Sequence, residues 1–309
     1  MEMFTTMITP YKKDGSIDYE MVKRYVEWYY ETGLDGIFAI CQSSEIFFLS
    51  LEERIKLNTF VYNCAKELEK SGNRPFAVVS SGHISDSLED QIEELNAVWK
   101  SGTDSLILIT NRLAKENEDD DVLIENLKKI IENLPQDVKL GLYECPYPYK
   151  RLVTPKVFDF CISTGKFTYM KDTCCDAAVI KQRVEQLKGS GFKLLNANCQ
   201  TLLQTMRDGA DGYCGIMCNF HPKLYSWLCK NFESNPETAD LVQSVTGTFG
   251  FTEVGLPYPL TAKYHMNLCG LPTENIARNR KSEELTDYAK ECMKQMKTAT
   301  DALEKMLVV

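Results

Sequence analysis

Apolar residues along this chain follow two rhythms that take turns. Short runs rich in Val, Ile, Leu and aromatic side chains are bounded by turn residues. Between them lie longer stretches in which apolar positions return every three or four residues. The short runs predict strands over Phe4–Ile8, Gly36–Ile40, Phe76–Ser80, Ser105–Ile109, Lys139–Tyr143, Phe167–Lys171, Lys193–Asn196 and Gly212–Ile216. The longer stretches predict helices. Tyr19–Thr32 follows Asp18, whose carboxylate can accept from the first free backbone N–H groups. Leu51–Lys70 follows Ser50, and Glu53 three residues later completes a reciprocal cap. Asp86–Lys100, Asp119–Asn133, Pro155–Thr164, Cys175–Lys188 and Gln200–Asp208 continue the pattern. Gly33, Gly102, Gly165 and Gly209 stand where these helices should stop.

Strict alternation of strand and helix predicts a parallel sheet, open or closed. A count of about eight strands, with no Gly-rich dinucleotide fingerprint after the first, favours closure. The predicted fold class is α/β, a (β/α)8 TIM barrel over residues 1–233 with a C-terminal helical extension over residues 234–309. Past Phe232 the alternation ceases, and only helical patterns remain: Glu237–Thr248, Pro259–Cys269 and Glu283–Leu307. Ser234-Asn235-Pro236 is a turn-forming junction between the two parts.

Charge narrows the partners. The 309 residues carry a formal net charge of -9. That acidic balance argues against nucleic acid or an anionic membrane as the main partner, while leaving room for a small anionic substrate at a locally positive site. No segment approaches the ~18 consecutive apolar residues of a membrane span. Met1-Glu2-Met3-Phe4 lacks the basic start of a signal peptide. A cytoplasmic protein is expected, with its twelve cysteines reduced and most of them acting as small apolar side chains. Cys174-Cys175 is an adjacent pair without the ligand spacing of a zinc site, so neither metal nor cofactor is expected.

In a parallel barrel the chemistry sits at the C-terminal ends of the strands. The sixth predicted strand ends in Lys171, an amine at the close of an apolar run; the fifth ends in Tyr143. An amine and a phenol at the same end of neighbouring strands suit Schiff-base chemistry: the amine attacks a carbonyl and the phenol moves protons. Each also has an ordinary explanation. Lys171 can reach water along its stem, and Tyr143 can be a packing residue. The other strand ends carry Cys41-Gln42-Ser43-Ser44-Glu45, Ser80-Ser81-Gly82-His83, Thr110-Asn111-Arg112, Asn196-Ala197-Asn198 and Gly215-Ile216. Ser43 and Ser44 can cap a turn, and Glu45 can bond loop N–H groups. His83 is a weaker candidate for substrate contact, and His221 before Pro222 reads as a turn residue.

These residues resemble the dihydrodipicolinate synthase/N-acetylneuraminate lyase family of class I aldolases. The likeness runs over most of the chain, through Ile8-Thr9-Pro10, Asp14-Gly15, the loop ending in Glu45, Tyr143 and Pro146, Lys171, and Gly209-Ala210-Asp211-Gly212. It implies that Lys171 forms an imine with a 2-oxo acid such as pyruvate and that Tyr143 shuttles the proton. Ser43 and Ser44 would hold the carboxylate, with Gln42, Asn196 and Ile216 as further substrate-binding positions. It also implies a homo-oligomer, dimer or tetramer. Two departures stand out. Gln42 replaces a hydroxyl residue of the family loop, and Pro148 falls where the synthase carries an arginine, with Lys150 and Arg151 slightly further on. Asn196 and Asn198 sit where sugar-acid lyases carry polar groups. The expectation is therefore an aldolase or lyase of another 2-oxo acid. A sugar-acid dehydratase using the same imine, or a non-catalytic metabolite-binding barrel, stand as rival readings.

Overall fold

Each short apolar run pairs with the next in chain order, and the eighth pairs with the first. The computed structural model describes residues 1–309. It closes eight parallel strands into one barrel: β1 (Glu2–Thr6), β2 (Gly36–Phe38), β3 (Ala77–Ser80), β4 (Ser105–Ile109), β5 (Leu140–Tyr143), β6 (Phe167–Asp172), β7 (Lys193–Asn196) and β8 (Gly212–Gly215). The first strand starts two residues earlier than its apolar run. Its pairing with β8 begins at Glu2 opposite Gly212. Gly212 has φ +153°, and a Cβ there would lie 1.9 Å from the Glu2 carbonyl oxygen, so only glycine lets the two backbones approach.

Outside the barrel lie α1 (Tyr19–Glu31), α2 (Leu51–Gly72), α3 (Leu88–Lys100), the single turn α4 (Thr110–Leu113), α5 (Asp120–Glu132), α6 (Pro155–Thr164), α7 (Ala177–Leu187), α8 (Leu202–Arg207) and α9 (Pro222–Asn231). The caps read from sequence are formed. Asp18 accepts from Met21 N, and Ser50 and Glu53 bond reciprocally. The eighth barrel helix, α9, has no counterpart among the predicted helices. It starts at Pro222, with His221 at its cap position and buried rather than in a surface turn. The chain then continues into α10 (Pro236–Val254), α11 (Leu260–Leu268) and α12 (Asp287–Leu307). None of the helices is long and apolar enough to cross a membrane.

Inward-facing strand residues, Phe4, Phe38, Val79, Ile107, Tyr143 and Leu195 among them, fill the barrel. Outward-facing residues pack against the helices. The C-terminal helices add Val242, Met266, Met293 and Met296 to the same core that holds Tyr25, Val26 and Leu224. The extension thus shares the main core, with only a small cluster of Leu260, Leu285 and Ala289 of its own. It is also tied to the barrel mouth by charge: Glu45, wholly buried, accepts from Lys263 Nζ at 3.0 Å and from the backbone N–H groups of Arg278 and Asn279. The Arg278 guanidinium spans both carboxylate oxygens of Glu53 at 2.7 and 2.8 Å. These bonds hold residues 278–280 beside the strand ends.

Candidate active site

Side chains alternate across a strand, so successive residues at a strand end go to opposite faces. Tyr143 and Lys171 are direct partners across β5 and β6, and both turn inward. The residues that follow them, Glu144 and Asp172, turn outward, and the buried Arg183 pairs with both. Glu144 also accepts from the backbone N–H groups of Val153 and Thr173, at 2.7 and 2.9 Å. Two acidic residues beside the lysine are thus occupied on the far side of the wall.

Lys171 is 7% exposed. Its Nζ lies 4.1 Å from the centroid of the Tyr143 ring and 5.4 Å from that of Phe38. Those rings meet edge-on at 5.5 Å. The aromatic faces offer the amine a weak electrostatic contact, but no carboxylate pairs with it. The Tyr143 hydroxyl donates to Gln42 Oε1 at 3.3 Å, and Cys145 Sγ donates to the same oxygen at 3.6 Å. Burial pushes the Tyr143 phenol well above its ordinary value, so at neutral pH it remains a proton donor.

Residues 42–44 form one tight turn. Its bonds run from Ser44 N to Cys41 O at 3.1 Å and from Glu45 N to Gln42 O at 2.9 Å. Glu45 follows at φ +64°, a left-handed conformation held by the buried bonds to Lys263 and residues 278–279. Ser43 points toward the mouth and donates to Thr6 Oγ1 at 3.0 Å. Ser44 turns back: its hydroxyl accepts from Cys41 N at 2.6 Å and donates to Cys41 O at 3.0 Å.

A cavity of about 530 Å³ opens over Lys171. Gln42, Ser43, Tyr143, Lys171 and Ile216, all singled out from sequence, line it together. Two sequence-based assignments need correction. Ser44 is outside the cavity lining because its hydroxyl and N–H serve the turn itself. Asn196 is outside because it follows the inward-facing Leu195 and turns to the helix side, where its amide donates to Thr201 and Thr205 at 3.0 Å each. Its Oδ1 accepts from Asn198 N at 2.7 Å; Asn198 lines the cavity together with its neighbours Ala197, Cys199 and Gln200.

His83 is likewise remote from the cavity. Its Nε2 accepts from Ile109 N at 2.6 Å, so its Nδ1 carries the hydrogen toward Gln91 Oε1 at 2.9 Å. Burial lowers its pKa to about 4. Cys174 is half-buried and Cys175 exposed at the cavity rim, and all twelve cysteines are unpaired.

Sequence reasoning missed Glu253, Tyr258 and Arg280, which line the far wall. Arg280 stands in a loop without periodic pattern, and only the bonds of Glu45 to residues 278–279 bring it to the mouth. Glu253 carried a faint signal, an acid inside the run Phe249–Leu256, but the apolar residues of α10 are not gathered on one face, so its buried side cannot be phased from sequence. Lys150 and Arg280 bring positive side chains to the cavity despite the acidic chain.

The chain matches the model of the Dihydrodipicolinate synthetase family over residues 1–299. The 4-hydroxy-tetrahydrodipicolinate synthase of Coxiella burnetii (strain RSA 493 / Nine Mile phase I) is 25% identical over 223 residues, 72% of this chain and 72% of that protein. The enzyme of the same name from Saccharophagus degradans is 24% identical over 286 residues, 85% of this chain and 94% of that protein. Among solved structures, YagE, a prophage protein of the dihydrodipicolinic acid synthase family from E. coli solved with pyruvate, superposes with a TM-score of 0.84. It is 20% identical, and the alignment covers 98% of each chain. CdNal from Clostridium difficile, solved with mannosamine, gives 0.83 at 17% identity, covering 96% of this chain and 98% of that one. At these identities the structural likeness speaks for the fold.

Proposed function

This chain belongs to the dihydrodipicolinate synthetase family, and on that footing we propose that it is a class I aldolase or lyase acting on pyruvate or a related 2-oxo acid. The observation that carries the reading is Lys171: a buried amine without a carboxylate partner, on the cavity wall, 4.1 Å from the Tyr143 ring. The neutral amine adds to the C2 carbonyl. Loss of water gives a protonated imine, which draws electrons from C3 as a C3 proton leaves or a C3–C4 bond breaks. The resulting enamine can add through C3 to an aldehyde carbon, forming a C–C bond while the alkoxide takes up a proton. Water then releases the product from Lys171. Tyr143, protonated and facing the same space, supplies and recovers protons at the carbinolamine. Ser43, at the start of its turn, suits the substrate carboxylate.

Gln42 separates this site from the synthase pattern. Its Oε1 accepts the Tyr143 hydrogen bond, but an amide cannot pass a proton onward as a hydroxyl can. Pro148 supplies no positive charge where the synthase has its arginine. Both features support an aldolase or lyase other than the authentic synthase. The unpaired cysteines support a cytoplasmic setting. Exposed Phe48 and Tyr147 support a homo-oligomer, which sedimentation at low concentration would test.

The decisive experiment is borohydride reduction with pyruvate, followed by peptide mass spectrometry. The reduced pyruvate adduct is expected on Lys171. An adduct on a different lysine, or none, would remove the reading. Product analysis then separates cleavage, which gives pyruvate and an aldehyde, from dehydration, which keeps the carbon skeleton.

A further inference from the structure

Asn219 ends the short turn Ile216–Asn219 that follows β8, and it is wholly buried. Its Oδ1 accepts from Tyr29 OH at 2.6 Å and from Thr5 Oγ1 at 3.3 Å. Two hydroxyl donors on one side fix which way the amide lies. Its Nδ2 therefore faces the other way. There it meets Thr6 O at 2.9 Å, Ile216 O at 3.0 Å and the Tyr258 hydroxyl at 3.2 Å.

That last contact decides what Tyr258 can do. An amide nitrogen donates and cannot accept. The phenol oxygen is thus the acceptor, and the phenol's own hydrogen meets no acceptor in the chain. Tyr258 comes from the connection between α10 and α11, is half-buried, and lines the cavity with Ser43. Burial pushes its phenol far above the ordinary value, with hydrogen bonding from Ser43 working the other way, so at neutral pH the hydrogen is present. Neighbouring donors are committed. Ser43 donates to Thr6 Oγ1 at 3.0 Å and Tyr143 to Gln42 Oε1 at 3.3 Å. Lys150 and Arg280 make exposed bonds, to Thr173 O at 2.7 Å and Glu284 Oε2 at 3.0 Å. A carboxylate only accepts, and hydrogen bonds to an anion are among the stronger ones.

We propose that Tyr258 donates to the carboxylate of the 2-oxo acid held as an imine on Lys171, and that Asn219 is the residue that positions it. This inference rests on the imine reading above. It gives to the C-terminal extension the part that the family resemblance assigned to Ser44, whose hydroxyl serves its own turn. Ser43 must release Thr6 before it can donate to the same carboxylate, whereas Tyr258 releases nothing.

Borohydride trapping at Lys171, measured against concentration for pyruvate and for its neutral methyl ester, tests this. Tyr258→Phe keeps the ring and removes the hydroxyl. It should raise the pyruvate concentration for half-maximal trapping by about ten-fold or more, the scale of one hydrogen bond to a charged group. The value for methyl pyruvate should change by less than about two-fold, because an ester carries no charge to lose. Asn219→Ala should weaken pyruvate in the same selective way. Joined to Tyr258→Phe it should bring no further rise, since the two residues act as one unit. A loss of melting temperature with the ratio of the two substrates intact would overturn the positioning role of Asn219. If Asn219→Ala does not fold, Tyr258→Phe decides alone. The proposal is overturned if Tyr258→Phe leaves pyruvate trapping unchanged, or weakens pyruvate and its ester equally. A wild type that is never trapped strikes the imine reading and this inference with it; trapping without the expected selectivity strikes this inference only.

Discussion

Two lysines are buried near the barrel mouth, and they sit in opposite electrostatic settings. Lys263 on α11 is wholly buried; its Nζ lies 4.5 Å from the Tyr11 ring centroid and 3.0 Å from Glu45 Oε1, and it also donates to Ile276 O at 2.5 Å. Lys171 on β6 also lies over a tyrosine ring, at 4.1 Å, but has no carboxylate. The aromatic face is common to both, so it is not what separates structure from chemistry. The anion is. A paired amine serves as a strut, here between the second-strand loop and the extension, even though burial lowers the Lys263 pKa from its ordinary value. Lys171 has no such partner to hold it in place, and it opens on a cavity where a carbonyl can reach it.

Replacing both lysines by methionine is the sharpest way to break this contrast. Lys171→Met is expected to abolish pyruvate trapping and lower turnover by more than a thousand-fold, as read by mass spectrometry and product assay. Its stability should be unchanged or raised, because no buried charge loses a partner. Lys263→Met leaves Glu45 buried without its cation, and urea denaturation should show a loss of about 3–5 kcal/mol. If the two variants lost stability equally, the contrast would fail.

Tyr143→Phe keeps the ring beside Lys171 and removes the hydroxyl. Turnover should fall about 10²–10⁴-fold, the usual range for losing a positioned proton donor, while borohydride trapping persists at a reduced rate. A normal turnover number would exclude the phenol from proton transfer.

The neighbouring serines give a smaller effect of the same form. Ser43→Ala should raise KM for pyruvate with little change in unfolding. Ser44→Ala should leave KM unaltered and cost about 1 kcal/mol of stability, since its hydroxyl serves only the turn. A rise in KM for Ser44→Ala would restore it to the site.

Acid probes a third setting, the buried histidines. His83 and His265 have pKa values lowered to about 4 and about 3, and His221 lies well below 6.5; burial is the main cause in each. Below pH 6.5 the unfolded chain takes up protons that the folded one refuses. Stability is therefore fully present above pH 6.5 and lost as pH falls toward 4, by up to about 1.4 kcal/mol per unit for each histidine. No histidine lines the cavity. Urea midpoints at pH 7 and pH 5 should differ accordingly, and a flat profile would contradict the buried neutral state. Glu253 runs the opposite way. Its contribution is fully present below its ordinary value of 4.5 and is lost as pH rises from there through about 8. Glu253→Gln should remove that decline.

Local chemistry made most of the fold legible. The short apolar runs located all eight strands, and the caps at Asp18 and Ser50 located their helices. Strand β1 was displaced because its start depends on the close approach at Gly212, which belongs to β8. The predicted end of the first C-terminal helix at Thr248 fell short of Val254 because Gly250 reads as a break in isolation. In the fold it is the contact with Cys199.

The sequence by itself determined the barrel and put an amine and a phenol at the ends of adjacent strands, because strand periodicity and parallel order are local properties carried by side-chain alternation. Only the tertiary structure decided which strand-end residues face the cavity. It turned Ser43 in and Ser44 away, and spent Asn196 on α8. It also brought Lys263, Arg278 and Glu253 from the extension to the mouth. Those choices depend on which long-range partner satisfies each buried polar group, and partners more than two hundred residues apart, such as Glu45 and Lys263, leave no mark in the local pattern.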